Sequence, residues 1–318
     1  MKVLHSGLPS NIRALSVVND SVVWLAGSNG YVGRSTDGGK TIKVLPVPGM
    51  DSADFRTLYA FDDKNALVVN IGSPARVFRT TDGFTWTQVY ENTHQDVFVD
   101  GIGFWNASDG VIYGDPIDGQ LFLLMTSDSG KTWQELSDVY RPLTVPGEAS
   151  FAASGTAIQC AGDSTLLIAT GGTVARLLVS NNRGISWQTQ VTPITQGTPS
   201  TGIYSVAQGA GELIVITGGN YKSDSTVTDA VFFSPDGGAS WQQPVNGTNG
   251  LRECVFFTDK FTAIAVGPNG IDWSTSACRN WSVLSEQKGF HVARKARNGE
   301  SLFVAGKGML AQMYLPEK

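Results

Sequence analysis

The chain has 318 residues, 41% of them hydrophobic, with 8 Trp, 15 Phe, 37 Gly and a formal net charge of −5. That is ample apolar mass for a core, and the acidic balance speaks against a nucleic-acid partner, which demands a basic surface. No apolar run approaches the roughly 20 residues that span a bilayer, three cysteines are too few and too odd for a disulfide framework, and His5, His94 and His291 share no metal-ligand spacing.

In chain order, an isolated apolar run at 2–5 precedes a first group of three at 15–18, 22–26 and 31–34. A turn segment follows, Ser35-Thr36-Asp37-Gly38-Gly39-Lys40-Thr41, and then a fourth run at 41–45. The turn recurs as Thr126-Ser127-Asp128-Ser129-Gly130-Lys131-Thr132-Trp133 and Ser234-Pro235-Asp236-Gly237-Gly238-Ala239-Ser240-Trp241. Weaker copies are Thr80-Thr81-Asp82-Gly83-Phe84-Thr85-Trp86, one residue short, Ser180-Asn181-Asn182-Arg183-Gly184-Ile185-Ser186-Trp187, with Asn for Asp, and Ser274-Thr275-Ser276-Ala277-Cys278-Arg279-Asn280-Trp281. Each copy joins two β-rich runs and so predicts a hairpin turn. The Asp and Ser/Thr side chains satisfy nearby backbone groups, the Gly supplies a positive φ, and the Trp opens the next strand with a large apolar plate. These are turn-and-packing roles and call for no substrate.

The pattern Ser/Thr-x-Asp-x-Gly-x-Thr/Ser-Trp resembles the Asp-box, or BNR, repeat of β-propellers, a group that includes sialidases, xyloglucanases, sortilin-type receptors and photosystem II assembly factors. The key positions 37, 82, 128, 182, 236 and 276 are spaced by 45, 46, 54, 54 and 40 residues, the period of a four-stranded blade. Three further runs, at 291–296, 301–305 and 309–314, follow the last copy. The expectation is therefore an all-β, seven-bladed propeller in one domain spanning 1–318, with blades near 11–46, 54–91, 97–138, 155–191, 202–245, 251–285 and 290–315. The 2–5 run completes the last blade and removes the open edge. Relatives of this type are often exported, so a mature secreted or periplasmic form and a cytoplasmic protein both fit, and the chain reads as a monomer.

In such a blade the repeated turns lie on one face and the inter-blade links on the other, around the mouth of the central channel, where ligands are expected. Aligning the innermost strands by apolar pattern puts Arg13, Arg56, Asp100, Thr156, Thr201, Arg252 and His291 at that mouth. Convergent arginines bind carboxylate, sulfate or phosphate bidentately, which implies an anionic ligand. Asp115, Asp118, Glu148, Tyr204 and Asp272 fall on the same face, the first two also as turn caps.

Three readings follow. Arg13-Ala14-Leu15-Ser16-Val17-Val18 with Trp24-Leu25-Ala26-Gly27-Ser28-Asn29-Gly30 resembles the unit pattern of photosystem II assembly-factor propellers, implying a non-catalytic module that docks a protein segment or carbohydrate. A glycoside hydrolase would need two carboxylates about 5–5.5 Å apart if retaining or about 6.5–9.5 Å if inverting, for which Asp115, Asp118, Glu148 and Asp100 are candidates. A sialidase would use Tyr204 with Glu148 and the arginines, but Asn11-Ile12-Arg13-Ala14 lacks the Pro of that family's Arg-Ile-Pro start. A lyase for acidic polysaccharides would take His291 or Tyr204 as base beside the arginines. No EF-hand loop, phosphate-binding Gly-Lys-Ser/Thr or dinucleotide fingerprint is present, so neither cofactor nor metal is expected.

Overall fold

The computed structural model describes residues 1–316. The chain is a β-propeller whose antiparallel strands form six sheets. Four sheets have four strands each. Their first, innermost strands are Phe55–Ala60, Val99–Phe104, Ile158–Ala161 and Cys254–Phe257. A five-stranded sheet is built on Thr201–Gln208, Ile214–Asn220 and Val231–Ser234. It adds the short pair Gly171–Gly172 and Glu148–Ala149 at its inner side.

The remaining sheet corrects the expected count: there are six blades, not seven. Phe290–Lys295 and Leu302–Met313 do not form a separate unit with the N-terminal run. They belong to one six-stranded sheet with Lys2–Val17, Val23–Gly27, Val32–Ser35 and Lys43–Val44. The reason lies in Lys2–Val17, a single extended strand of 16 residues where the sequence suggested two runs and a link. Its first part pairs with Leu302–Met313, as in Lys2↔Gln312 and Val3↔Ala311. Its last part pairs with Val23–Gly27, as in Leu15↔Leu25. Gly7 and Pro9 do not break the strand, because a register shift between Ser6 and Asn11 absorbs them.

The core lies between adjacent sheets. Each sheet interior is apolar on both faces, as in Val23–Gly27 and Ala263–Gly267, where every residue is buried. The Trp of a repeated turn packs into such an interface. Trp86 sits with Ala26, Val32 and Leu45 of the neighbouring sheet and meets Trp24 edge-on at 6.2 Å. The turns themselves are closed clips. Ser35 Oγ donates to Asp37 Oδ1 and accepts from Gly39 N, both at 2.8 Å. Asp37 also accepts from Thr41 N and Oγ1, at 2.9 and 2.8 Å. The bonds around Asp128 and Asp236 repeat this set, and Asn182 and Ser276 keep part of it.

Candidate functional site

Two cavities lie on the propeller axis, separated by one stretch of the long link that the sequence placed at 139–154. After Glu148–Ala149 joins the five-stranded sheet, residues 150–154 cross the channel and bond to several sheets in turn. Ser150 N donates to Asp115 Oδ1 at 2.7 Å, and Arg13 Nη1 donates to Ala153 O at 2.9 Å. Arg56 Nη1 reaches Ala152 O at 3.4 Å, and Ser154 Oγ donates to Glu253 O at 2.5 Å. The crossing ends at Gly155, whose φ of +65° is open to glycine at little cost. Phe151 lies flat on Tyr204, ring centres 4.0 Å apart and planes within 5°.

Above this segment the channel mouth is a cavity of about 610 Å³. Its wall combines Arg13, Arg56, Asp115, Glu253, His291 and the Phe151–Tyr204 pair. The structure thus brings five of the sequence candidates together: Arg13, Arg56, Asp115, Tyr204 and His291. Arg13 pairs with Glu253 Oε1 at 3.3 Å, and Arg56 with Asp54 at 2.8 Å. His291 Nδ1 contacts Glu253 Oε2 at 2.5 Å. The arginines are therefore partly neutralised by carboxylates and by carbonyls of the crossing segment, whereas the sequence suggested they would stand free for an anion. Tyr204 donates its hydroxyl to Ser200 O at 2.9 Å, and burial pushes its pKa far above the usual phenol value.

The other candidates lie outside this cavity. Arg252 is 1% exposed and bonds Asp272 Oδ2 at 2.7 Å inside the sixth sheet, so its neighbour Glu253 faces the channel instead. Asp100 is fully buried and both carboxyl oxygens lack a partner. Burial first, and then the nearby Asp115 against the opposing pull of Arg56, raises its pKa well above normal. Thr201 is buried and closes a turn through Thr198. Thr156 hydrogen-bonds Ser205 within the channel wall. Glu148 is no exposed loop residue: Arg176 holds it through Nε at 2.8 Å and Nη2 at 2.5 Å, with Thr170 Oγ1 at 2.7 Å. It fastens the link to the neighbouring sheet. Asp118 is exposed at a turn with φ of +52°.

Sequence reading missed Glu253. Both it and Arg252 are charged, so no apolar alternation marks which faces the channel. Two of the mouth carboxylates, Asp115 and Glu253, differ sharply. Burial, offset in part by the Ser150 N–H, raises Asp115 to about 6. Glu253 is held below its usual range, because bonds and charge from His291 and Arg13 outweigh burial.

No protein-family model and no curated protein sequence matches this chain. Solved structures do. A structure of YCF48 bound to D1 peptide superposes with a TM-score of 0.70 at 14% identity, covering 98% of this chain and 94% of that one. YCF48 from Cyanidioschyzon merolae gives 0.62 at 17%, covering 98% of each. The GH74 enzyme of Niastella koreensis gives 0.66 at 15%, covering 95% of this chain and 51% of that one. These likenesses establish the shared propeller fold.

Proposed function

We propose that this propeller binds an extended segment of a partner protein in the channel-mouth cavity. The observation that carries the reading is the make-up of that cavity. It places two arginines, the three carboxylates Asp115, Asp224 and Glu253, and a flat aromatic pair around one opening of about 610 Å³. Mixed charge suits the alternating donors, acceptors and side chains of a peptide better than it suits a polyanion. A propeller of the same fold has been solved with a peptide bound, which supports the reading.

The test is a random dodecapeptide library panned on the protein, with selected peptides titrated by fluorescence anisotropy. Arg13→Glu and Arg56→Glu should each weaken binding by at least tenfold. Selected peptides that bind both variants as tightly as the parent protein would sink the reading. A glycan array run alongside decides for carbohydrate if glycans, and no peptides, are captured.

A second reading rests on the separation of Asp115 and Glu253, one held protonated to about pH 6 and one held ionised on the same cavity. That is the division of labour between acid and carboxylate in glycoside hydrolysis. Release of fluorophore from a panel of methylumbelliferyl glycosides, abolished by Asp115→Asn and by Glu253→Gln, would favour it. No turnover across the panel counts against it.

A further inference from the structure

Below the crossing segment the channel continues as a second cavity of about 380 Å³, walled by innermost strands of the sheets. Its lining contains four cationic side chains, Arg56, Arg294, Lys295 and Arg297, and no Asp or Glu. In a chain of net charge −5 such a wall calls for an explanation. Two of the four cations are already matched. Arg56 pairs with Asp54 at 2.8 Å and Lys295 with Glu300 at 2.7 Å.

Arg294 and Arg297 have no carboxylate partner among the described residues. Arg294 spends Nη1 on Ala293 O at 2.9 Å and Nη2 on Ser154 O at 3.1 Å, the underside of the crossing segment. Arg297 reaches over the lower opening to Ser16 Oγ at 3.1 Å and to Ala60 O. Its guanidinium lies 4.7 Å from the Tyr59 ring centre. Desolvation lowers the Arg297 pKa, Tyr59 opposes it, and the charge of Arg294 adds to the lowering, so the two guanidiniums feel one another. All their partners are neutral, and a guanidinium carries five N–H donors.

The rest of the wall is biased toward donation. Thr57, 1% exposed, buries its Oγ1 with no partner. Gln159 uses its Oε1 to accept from Gln208 N at 2.7 Å, which leaves its amide N–H₂ for other partners. Gln208 Oε1, also unpartnered, is an acceptor in this wall. The cavity volume is at the lower end of small-ligand pockets. Access comes from the face bearing the repeated turns, because residues 150–154 close the other side; Arg297 stands at that rim with its surface partly exposed and its guanidinium folded onto Ser16 and Tyr59.

We propose that this lower chamber is a site for a compact oxyanion, a phosphate or sulfate group, free or carried on a small polar molecule. Arg294 and Arg297 grip it, and Gln159 supplies further donors. Arg forks suit such groups because parallel N–H donors match two oxygens of one tetrahedral anion. This site is distinct from the mouth and stands whether or not the mouth takes a peptide.

The experiment is calorimetric titration, with thermal unfolding alongside. The probes are inorganic phosphate, sulfate and ribose 5-phosphate, against ribose and sodium chloride at matched ionic strength. Phosphate and sulfate should bind and raise the melting temperature where chloride and ribose do not. Ribose 5-phosphate binding at least tenfold tighter than phosphate marks a carried group, and equal binding marks the free anion. Arg297→Gln should weaken binding at least tenfold, with its folding checked because Arg297 also bonds Ser16 and Ala60. Arg294→Gln should do the same, with its folding checked because it also anchors Ser154. Arg76→Gln, far out on Ala75–Thr80 and paired with Glu91, should change nothing. No binding above chloride, or parental affinity in both Arg294→Gln and Arg297→Gln, overturns the proposal. So does loss in Arg13→Gln without loss in Arg297→Gln, which would move the anion to the mouth.

Discussion

Replacing Asp272 by Ala separates a structural arginine from a ligand-binding one. Sequence pattern put Arg252 at the mouth, but the fold buries it and Asp272 to 1% and 2% side-chain exposure. Asp272 Oδ2 accepts from Arg252 Nε and Nη2 at 2.7 Å and from Asn249 N at 2.9 Å. Burial raises the Asp272 pKa against the pull of Arg252, and it lowers that of Arg252 against the pull of Asp272. Each charge is thus costly on its own and tolerated through its partner. Asp272→Ala strands a buried guanidinium, with an expected loss of about 3–5 kcal/mol. At roughly 2 °C per kcal/mol for a chain of this size, the melting temperature should fall by about 6–10 °C. Arg252→Met with Asp272→Leu removes both charges and should recover most of that loss, leaving a coupling energy of at least about 2 kcal/mol in a double-mutant cycle. Urea unfolding of the parent, Asp272→Leu, Arg252→Met and the double mutant supplies the cycle. A single mutant within about 1 kcal/mol of the parent, or a double mutant no better than Asp272→Ala, would refute the argument.

Two pH effects of opposite sign follow. Asp115 has a folded-state pKa of about 6 against an unfolded value of about 4, so the stability it confers is fully present below pH 4 and is lost as pH rises through 6. Asp115→Asn should therefore be more stable than the parent at pH 8, by on the order of 1–2 kcal/mol, and equal to it below pH 4. A constant difference at all pH values in urea titrations would contradict this. Asp37 is held at about 2, chiefly by the Thr41 N–H. Asp128 is held at about 2 by bonds from Thr132 that overcome burial, and Asp236 is also lowered, chiefly by the Ser240 hydroxyl. Their contribution is complete above the unfolded value near 4 and disappears as pH falls toward 2. Asn182 already makes the same turn with an amide, so a triple Asp→Asn variant at 37, 128 and 236 should fold and show a flatter acid limb in melting temperature. An unchanged acid limb would mean these turns do not drive acid unfolding.

Much of the fold was legible because its signal is local. The turns at 35–41, 126–132 and 234–240 carry their own hydrogen bonds, so their spacing measured the strand repeat. The blade count was not legible. Whether 2–5 and 15–18 are two strands or one depends on pairing with Leu302–Met313, some 300 residues away. The mouth was half legible. Arg13, Arg56 and His291 each precede a clear apolar run, whereas in Arg252-Glu253 two adjacent charges conceal the register. The crossing of residues 150–154 left no sequence signal beyond an unusually long link. The arginines hold it through the backbone carbonyls of 152–154, which every residue type offers.

The most direct test of the mouth as a peptide site is hydrogen–deuterium exchange with and without a saturating selected dodecapeptide. Slower exchange should appear in residues 149–154, 219–225 and 250–253, which surround the cavity. Protection confined to the outer strands or to the face of the repeated turns, with these segments unchanged, would contradict the account.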